Sequence, residues 1–339
     1  MDNRMKMMMA TVLVATLVAG ALFMSGCVGP TKEGATDVTV MMSYVPVMSF
    51  SAFYCALDQG YYADEGLDVT IQHSSEGSMG PIKQVGANKI EFGCAAGNSL
   101  ITARSKGVPV VSVYQIEQVN PYLVIALKSS GISEPEDLVG KDIAIPGTGC
   151  PQQIETEAIL LKSGLDYNKL NFIPMAGQEM SALLQNKTDA MAGHIIHTAL
   201  LKSMGKANDI NVIYGRDYVN MVGIGVLTNE KTLEKNPELV KKFVRATDKG
   251  FKFAINNPDK AVNIYIKNWA PQYADKKDFH LNFWKKMINE CYQPDKYPPG
   301  QMREEQWTLT YDTMYDLGII ENKMDINKAY TERFISSAS

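Results

Sequence analysis

The hydrophobic pattern of residues 50–71 changes its period once. Apolar side chains recur at helical spacing over residues 50–57, and they alternate with polar ones over residues 67–71. A short apolar run at residues 38–42 precedes this stretch. The pattern predicts a strand, a helix and a parallel strand. The loop after the first strand, residues 43–49, then lies at the carboxyl edge of a sheet, where open α/β folds bind their ligands.

The pattern of the following residues predicts two similar halves. Strands are predicted at residues 90–94 and 108–113 of the first half and at 122–127, 142–145, 170–173 and 189–192 of the second. Helices are predicted at residues 80–85, 100–106, 133–138, 152–163 and 178–185. Each half contains a helix, a polar turn and a short strand, in which Asn88-Lys89-Ile90-Glu91-Phe92 parallels Asn186-Lys187-Thr188-Asp189-Ala190. We therefore expect two α/β lobes that face each other.

The rest of the chain returns to the first lobe and ends in helices. Strands are predicted at 212–214 and 223–227, and they lead the chain back to the first lobe. The chain therefore crosses between the lobes twice, near residues 118–121 and 218–223, and these two crossings form the hinge. Helical spacing follows from Asn236 and Asn257, and again at 276–291 and 303–317. The predicted fold class is α/β with two lobes, each a mostly parallel sheet flanked by helices. The predicted lobes are residues 38–118 plus 223–335 and residues 121–218.

Several segments match one protein family. They are a Tyr-x-Pro loop at residues 44–46, the stretch FSAFYCALDQGYYADEGLDV from Phe50, and an Asn-Lys-x-Glu-Phe-Gly segment at residues 88–93. As far as about Lys267, the chain resembles the NMT1/THI5-like and SsuA-like solute-binding proteins of ABC importers. It departs at Ala52-Phe53, where Pro is common, and at Tyr62, where Phe is usual. The resemblance implies a periplasmic-binding-protein type II fold, a small-molecule ligand, an ABC permease with its ATPase as partners, and helices after Asn236 that pack outside the first lobe.

The N-terminus has the pattern of an export signal. Arg4 and Lys6 precede an apolar run over residues 7–24, which ends at Ser25-Gly26-Cys27. This predicts a lipoprotein signal peptide at residues 1–26, acylation of Cys27 and a tether at residues 27–37. The alternative is an uncleaved membrane anchor, because the run approaches the length that spans a bilayer. Either interpretation places the folded protein outside the cytoplasm, on the outer face of the cytoplasmic membrane.

Composition excludes some classes of partner. The net charge is −4 without a basic stripe, so we expect no nucleic-acid partner. We also expect the protein to be a monomer. Apart from Cys27, the cysteines are Cys55, Cys94, Cys150 and Cys291. Their long spacings contain no CxxC pair and no Cys/His ligand pattern. We therefore predict free, mostly buried thiols, with no structural metal and no cofactor.

The candidate ligand-binding residues follow strands, because a two-lobed binder encloses its ligand between the carboxyl edges of its sheets. They are Tyr44, Pro46, Ser49, Phe50, Gly97, Asn98, Ser99, Gln118, Asn120, Thr148, Cys150, Gln152, His194 and His197. Most carry aromatic or neutral hydrogen-bonding groups, and none is Lys or Arg. Such a lining favours a neutral, flat solute stacked on Tyr44 or Phe50.

Three of these segments have alternative interpretations. Asn98 and Ser99 either contact the ligand or only cap the following helix. The segment 147–151, Gly-Thr-Gly-Cys-Pro, opens a helix whose N–H groups suit an anion or a carbonyl oxygen, but it lacks the Lys of a P-loop. His194 and His197 lie three residues apart, where ligand binding, metal binding and capping are all open. A third metal ligand and a catalytic partner are not apparent.

We interpret the chain as the solute-binding component of an ABC importer, without catalytic activity. The resemblance implies the thiamine pyrimidine precursor, riboflavin, a sulfonate, taurine or nitrate as ligand, and the neutral aromatic lining favours a heteroaromatic one. One alternative is a pyrimidine synthase of thiamine biosynthesis, which the resemblance includes and which uses a Cys-rich motif that this chain lacks. The other is a membrane-tethered sensor with the same lobes.

Overall fold

A computed structural model of the 339-residue chain describes residues 34–335. The strands in that range form two five-stranded sheets. Sheet A contains β1 (Thr36–Met42), β2 (Leu67–His73), β3 (Phe92–Ala96), β4 (Val110–Gln115) and β10 (Ile224–Asn229). Sheet B contains β5 (Tyr122–Leu127), β6 (Asp142–Ile145), β7 (Asn171–Pro174), β8 (Ala190–His194) and β9 (Ile210–Tyr214).

Both sheets have the same topology. The strand order is β2-β1-β3-β10-β4 in sheet A and β7-β6-β8-β5-β9 in sheet B. In sheet A only β10 runs antiparallel to its neighbours, and in sheet B only β5 does. The prediction of two α/β lobes with mostly parallel sheets is therefore confirmed. Since the chain passes between the sheets at residues 116–121 and 215–223, we propose the boundaries 38–118 plus 223–335 and 121–218 for the lobes.

The helices of residues 34–335 flank these sheets. They are α1 (Ser51–Asp58), α2 (Tyr61–Asp64), α3 (Met79–Gly86), α4 (Gly97–Ser105), α5 (Pro151–Lys162), α6 (Glu179–Leu184), α7 (Ile195–Ser203), α8 (Glu230–Lys235), α9 (Pro237–Asn256), α10 (Pro258–Trp269), α11 (Lys277–Met287) and α12 (Glu304–Asp316). A 3₁₀ turn at Met48–Phe50 precedes α1, and a π-helix at Ile288–Tyr292 follows α11. None of the described helices is long and apolar enough to cross a membrane.

Some predicted boundaries differ from the structure. β1 begins at Thr36, inside the predicted tether 27–37, because this residue already pairs with β2. The helix predicted at residues 133–138 is a 3₁₀ turn over Pro135–Leu138, which ends at the extended residue Val139. The predicted signal peptide 1–26 and the predicted acylated residue Cys27 lie outside the described residues. The four other cysteines are free, and Cys150 is the one among them that is only partly buried.

The core of the first lobe is built on the contact between α1 and α9. The ring of Phe243 in α9 stacks on Tyr62 at 5.2 Å and on Phe92 at 3.9 Å. Gly250 of α9 faces the backbone of α1, and a Cβ atom there would lie 2.2 Å from the carbonyl oxygen of Ala52. The small residue thus allows two helix backbones to touch, and α9 packs on the lobe as expected.

The repeated turn of the sequence has the same structure in both lobes. Asn88 and Asn186 each adopt a left-handed backbone, with φ of 55° and 53°. Three residues later, Glu91 Oε2 accepts the N–H of Thr39 at 2.8 Å, and Asp189 Oδ2 accepts the N–H of Asp142 at 2.9 Å. The acidic side chain therefore fastens the new strand to its parallel neighbour in each sheet.

Candidate functional site

The two chain crossings lie side by side and are hydrogen-bonded to each other. The N–H groups of Ile116 and Glu117 both donate to the carbonyl of Ile224, at 3.0 Å each. The N–H of Asn120 donates to the side-chain oxygen of Asn220 at 2.8 Å. Paired crossings of this kind form a two-strand hinge between the lobes.

Glu117 is the central acid of this hinge. It is 1% exposed, and its Oε2 accepts the N–H of Ile224 at 2.9 Å. Its other oxygen, Oε1, is buried and receives no hydrogen bond. Oε1 lies 3.9 Å from Nε2 of His194, at the end of β8. Because a buried acceptor without a donor is costly, Oε1 gains from a ligand that brings a donor.

His194 is oriented by the first turn of α7. Its Nδ1 accepts the N–H of Ile196 at 3.2 Å, and its own backbone N–H donates to Nδ1 of His197 at 3.0 Å. Since Nδ1 is an acceptor, the neutral ring of His194 carries its proton on Nε2, which faces Glu117. Burial and the neighbouring His194 lower the pKa of His197 to about 4. Both imidazoles therefore act as caps in this structure.

Two phenols and a hydroxyl complete the surroundings of Glu117. The ring of Tyr122, at the start of β5, lies 5.9 Å from the ring of His194 at an angle of 72°. Burial, and then the charge of Glu117, raises the pKa of both Tyr122 and Tyr292. The side chain of Ser49, in the loop after β1, is next to the Tyr292 hydroxyl. Groups from both lobes thus meet at one hinge carboxylate.

A second buried carboxyl group lies beside the hinge. Glu155 of α5 is 1% exposed, its Oε2 accepts from Nδ2 of Asn120 at 2.6 Å, and its Oε1 has no donor. A Cβ atom on Gly215 would lie 2.1 Å from that Oε1, so the glycine makes room for the acid. Burial raises the pKa of Glu155 to about 8, although the hydrogen bond from Asn120 opposes the shift. The group is therefore mostly uncharged at neutral pH.

The C-terminal segment braces the hinge. Arg303 donates from Nη2 to the carbonyl of Gln118 at 2.6 Å. Gln306 donates from Nε2 to the carbonyls of Gln118 and Met221, at 3.2 and 3.1 Å, and so joins both crossings. The carbonyl of Cys291 accepts the N–H of Gln118 at 2.9 Å. These C-terminal residues therefore belong to the hinge as well as to the scaffold of the first lobe.

An aromatic cluster lies beside the loop at residues 43–49. Tyr54 stacks on Trp269 at 4.5 Å, and the ring of His73 lies 5.7 Å from Trp269. The Nδ1 of His73 lies 2.8 Å from the carbonyl oxygen of Tyr44, to which it donates, and burial lowers the pKa of His73. The Tyr44 side chain is 57% exposed. It is the aromatic group of this loop that solvent reaches.

An ion pair joins the lobes beyond the hinge. Arg216, directly after β9, donates from Nη2 to Oε2 of Glu290 at 2.9 Å, and Lys286 contacts Oε1 of Glu290 at 2.5 Å. Burial alone would raise the pKa of Glu290, but the hydrogen bonds from Lys286 and Arg216 lower it. Helix α11 also contacts α7 of the second lobe. These contacts hold the two lobes together in the present conformation.

Replacing Arg216 by alanine is expected to favour an open arrangement of the lobes. Only one of the two cations on Glu290 bridges the lobes, and a half-buried ion pair contributes about 1 kcal/mol. Small-angle scattering should show a larger radius of gyration for Arg216→Ala than for the control Lys286→Ala, which removes the cation on the same side as Glu290. Equal radii for the two variants would show that the ion pair does not hold the lobes closed.

A separate cavity lies away from the hinge. It measures about 280 Å³ and is lined by residues that include Asp37, Glu91 and Lys231, at the opposite ends of the sheet A strands. We do not place the functional site there, because His194 at the end of β8 and Ile224 of the second crossing both lie next to Glu117 at the hinge instead.

Comparison with known proteins identifies the family. A family model described as NMT1/THI5 like matches residues 48–261. The chain belongs to the NMT1/THI5-like family. Among the relatives of this NMT1/THI5-like protein is the riboflavin-binding protein RibY of Chloroflexus aurantiacus, 27% identical over 315 residues, which cover 89% of this chain and 87% of the relative.

Other relatives of this NMT1/THI5-like protein differ in their named roles. The formylaminopyrimidine-binding protein of Halalkalibacterium halodurans is 27% identical over 266 residues, which cover 75% of this chain and 78% of the relative. At 24% and 25% identity there are proteins named 4-amino-5-hydroxymethyl-2-methylpyrimidine phosphate synthase. The periplasmic aliphatic sulphonate binding protein SsuA of Escherichia coli superimposes with a TM-score of 0.68 at 16% identity, covering 89% of this chain and 92% of that chain. The fold is thus the periplasmic-binding-protein type II fold.

Part of the predicted ligand set surrounds Glu117 in this NMT1/THI5-like structure. His194 does so through its Nε2, while Ser49 lies next to Tyr292, and Cys150 lies close enough for its charged form to affect the pKa of Tyr122. The Sγ of Cys150 accepts the N–H of Gln153 at 3.4 Å, and burial raises the pKa of this thiol. Thr148 is exposed in the loop before α5, and Gln152 is half-buried in its first turn.

Other predicted residues are engaged elsewhere. Phe50 is 1% exposed and belongs to the core, so it offers no free face for stacking. Gln118 donates from Nε2 to the carbonyl of Gln301 at 2.9 Å, and Asn120 is occupied by Glu155 and by the N–H of Tyr122. These side chains are directed into the hinge because they satisfy groups that the crossings bury.

The remaining predicted residues have local partners. Gly97 donates its N–H to the carbonyl of Gly223, and a Cβ atom on it would lie 2.3 Å from Val222, so it is a close-packing site. The Oδ1 of Asn98 accepts the N–H of Ser99 at 2.7 Å, and both residues are buried in the first turn of α4. The carbonyl of Pro46 accepts from the Tyr265 hydroxyl at 3.2 Å.

The sequence prediction missed Glu117, Tyr122 and Tyr292. Glu117 had one usable signal, because it is the single acidic residue between Glu91 and Glu134 and it follows a mostly apolar strand. Tyr292 had no such signal, because its position depends on the π-helix after α11.

Proposed function

We propose that this protein is the extracytoplasmic solute-binding component of an ABC importer. It binds a small solute between its lobes and delivers it to a permease that works with an ATPase. Closure of the hinge around the solute supplies the signal for delivery, since a ligand that touches both lobes favours the closed state. The protein performs no chemistry on the solute. Two relatives named as binding proteins support this assignment.

The single observation that carries the proposal is the convergence at Glu117. The end of β8 contributes His194, the hinge contributes a buried carboxylate oxygen without a donor, and Ser49 of the loop after β1 lies beside Tyr292, whose pKa the charge of Glu117 raises. This arrangement suits binding by hydrogen bonds and enclosure, with aromatic groups at Tyr122 and Tyr292 beside it.

We propose a nitrogen-containing heteroaromatic solute, such as a thiamine pyrimidine precursor or a riboflavin-like compound. The two relatives named for riboflavin and formylaminopyrimidine support this class. Sulfonate, taurine and nitrate are the alternative, and the SsuA likeness supports only the fold. An anion placed next to Glu117 would be repelled, because a like charge in a buried site is strongly unfavourable.

We keep the lipid anchor at Cys27 as part of the proposal. Delivery to a membrane permease is faster when the binding protein is held at the membrane surface. The synthase activity of other relatives is the second candidate, and a purified protein that consumed a bound cofactor or its own His would favour it. The Cys-rich motif expected for that activity is not present in the sequence.

Riboflavin or the formylaminopyrimidine is expected to raise the melting temperature of the purified protein. A ligand at about a hundred times its Kd stabilises the folded state by roughly 2.7 kcal/mol, which a thermal shift assay resolves. Ribitol, which is the side chain of riboflavin without its ring, serves as the control and should have no effect. Stabilisation by taurine, alkanesulfonates or nitrate alone would contradict the heteroaromatic ligand and leave the binding role intact.

A further inference from the structure

The pair formed by Glu117 and His194 brings two different hydrogen-bonding groups together where the hinge meets the second lobe. Glu117 Oε1 is an acceptor without a donor, and the other carboxylate oxygen is fixed by the N–H of Ile224. His194 Nε2 is a donor, because the N–H of Ile196 occupies Nδ1. The two atoms are 3.9 Å apart, which is too long for a hydrogen bond between them.

We propose, on the basis of the proposed function, that Glu117 and His194 together bind one edge of the ligand. This edge carries a hydrogen-bond donor next to a hydrogen-bond acceptor. A ring lactam, with N–H beside C=O, has such an edge, and so does an amino group beside a ring nitrogen. The donor binds Glu117 Oε1, and the acceptor receives the Nε2–H of His194. Glu117 belongs to the hinge and His194 to the second lobe. The bound edge of the ligand therefore contacts both the hinge and the lobe that moves relative to it.

The same pair explains which solutes are rejected. Sulfonate and nitrate groups carry acceptors alone, so they satisfy His194 but leave Glu117 Oε1 unpaired beside a negative charge. A site built to bond an N–H rejects an analogue that lacks it much more strongly than a hydrophobic pocket rejects a small change in size. In the present conformation Oε1 is buried, and the proposal requires that the ligand reaches it when the lobes part.

The variant Glu117→Gln reverses the polarity of this subsite without changing its shape. The N–H of Ile224 needs an acceptor, so the amide oxygen takes the position of Oε2. The amide NH₂ then occupies the position of Oε1 and faces the ligand N–H. Because both groups are donors, they cannot form a hydrogen bond. The control is Glu155→Gln, which changes the second buried hinge carboxyl group. Because burial keeps Glu155 protonated at neutral pH, its amide replacement preserves the charge.

The second variant is His194→Asn. Asparagine is a favourable residue at a helix N-cap, so α7 keeps its cap while the Nε2–H donor is lost. This variant tests the donor half of the pair, and its folding is checked by circular dichroism and melting temperature.

The experiment measures the Kd of riboflavin and of riboflavin methylated at ring N3, which removes the N–H between two carbonyls. The wild type and Glu155→Gln are expected to bind riboflavin at least tenfold more tightly than the methylated compound, as expected for a hydrogen bond to a charged group. Glu117→Gln should lose at least tenfold in riboflavin affinity and no longer distinguish the two compounds. His194→Asn should bind both more weakly but still distinguish them.

The outcomes separate the two proposals. If the wild type binds riboflavin and Glu117→Gln binds it equally well, the role of Glu117 is overturned and the proposed function stands. If Glu117→Gln still binds riboflavin more tightly than the methylated compound, the methyl group acts by its size. The proposed hydrogen bond between the ligand N–H and Glu117 is then overturned. Unchanged affinity in His194→Asn overturns the donor half. If neither riboflavin nor the formylaminopyrimidine binds the wild type, the proposed ligand class itself fails.

Discussion

Gly250→Ala is expected to destabilise the protein by about 3 kcal/mol. The added Cβ would lie 2.2 Å from the carbonyl oxygen of Ala52 and 2.6 Å from the backbone nitrogen of Ala56. Both contacts are with backbone atoms of α1, so no side-chain rotation relieves them. The gain of about 1 kcal/mol from replacing glycine in a helix interior is too small to compensate.

Thermal unfolding measures this effect. For a chain of this size we expect the melting temperature to fall by roughly 6 °C or more. The matched control is Gly147→Ala, where no atom lies within 4 Å of the new Cβ and the backbone φ is not positive. That variant should melt within about a degree of the wild type or slightly above it, through a smaller unfolded-state entropy. A Gly250→Ala protein as stable as the control would show that α1 and α9 do not touch.

Glu155→Gln is expected to become increasingly more stable than the wild type as the pH rises from about 5 to about 8. The pKa of Glu155 is about 8 in the folded protein and 4.5 in the reference state. Over this window the unfolded wild type has released its proton while the folded protein still holds it. Wild-type stability therefore falls with rising pH, by a total on the order of a few kcal/mol. The glutamine variant has no proton to lose and escapes this fall.

Denaturant unfolding of both proteins at several pH values measures the difference. His197 contributes in the opposite direction, because its pKa is lowered from 6.5 to about 4 and its contribution to stability is lost as the pH falls from 6.5 to about 4. This contribution is common to the wild type and the variant, so it cancels in their difference. A difference in the free energy of unfolding that stays constant from about pH 5 to about pH 8 would contradict the buried, protonated state of Glu155.

The sequence predicted the architecture because most strands carry a recognisable apolar signal, either as a run or in alternation with polar residues. The predicted bounds of β5 and β6 coincide with those in the structure. Errors occur where a segment is short or polar, as in the 3₁₀ turn at Pro135–Leu138, whose four residues lack the length of an α-helix. Hydrophobic period determines the type of an element, and local turn chemistry determines where it ends.

The candidate site was less accessible to sequence reasoning. Strand ends locate the edge of a sheet, which is why Ser49 and His194 were identified. The direction of a side chain depends on partners far away in the chain, as for Gln118, whose Nε2 donates to the carbonyl of Gln301. Glu117 was overlooked because its burial depends on Ile224, more than a hundred residues later. Such pairings are fixed by the tertiary fold and leave no local pattern.

The position of β10 has a consequence for the order in which the protein folds. This strand lies between β3 and β4, yet it comes after all five strands of sheet B in the chain. The second lobe is continuous and forms from neighbouring segments. The first lobe has a gap in the middle of its sheet until residues 224–229 arrive, and closing that gap brings together segments distant in sequence, which is slow. We infer that the lobe whose synthesis begins first is completed last, and that the edges of β3 and β4 stay unpaired and prone to wrong pairing until β10 is in place.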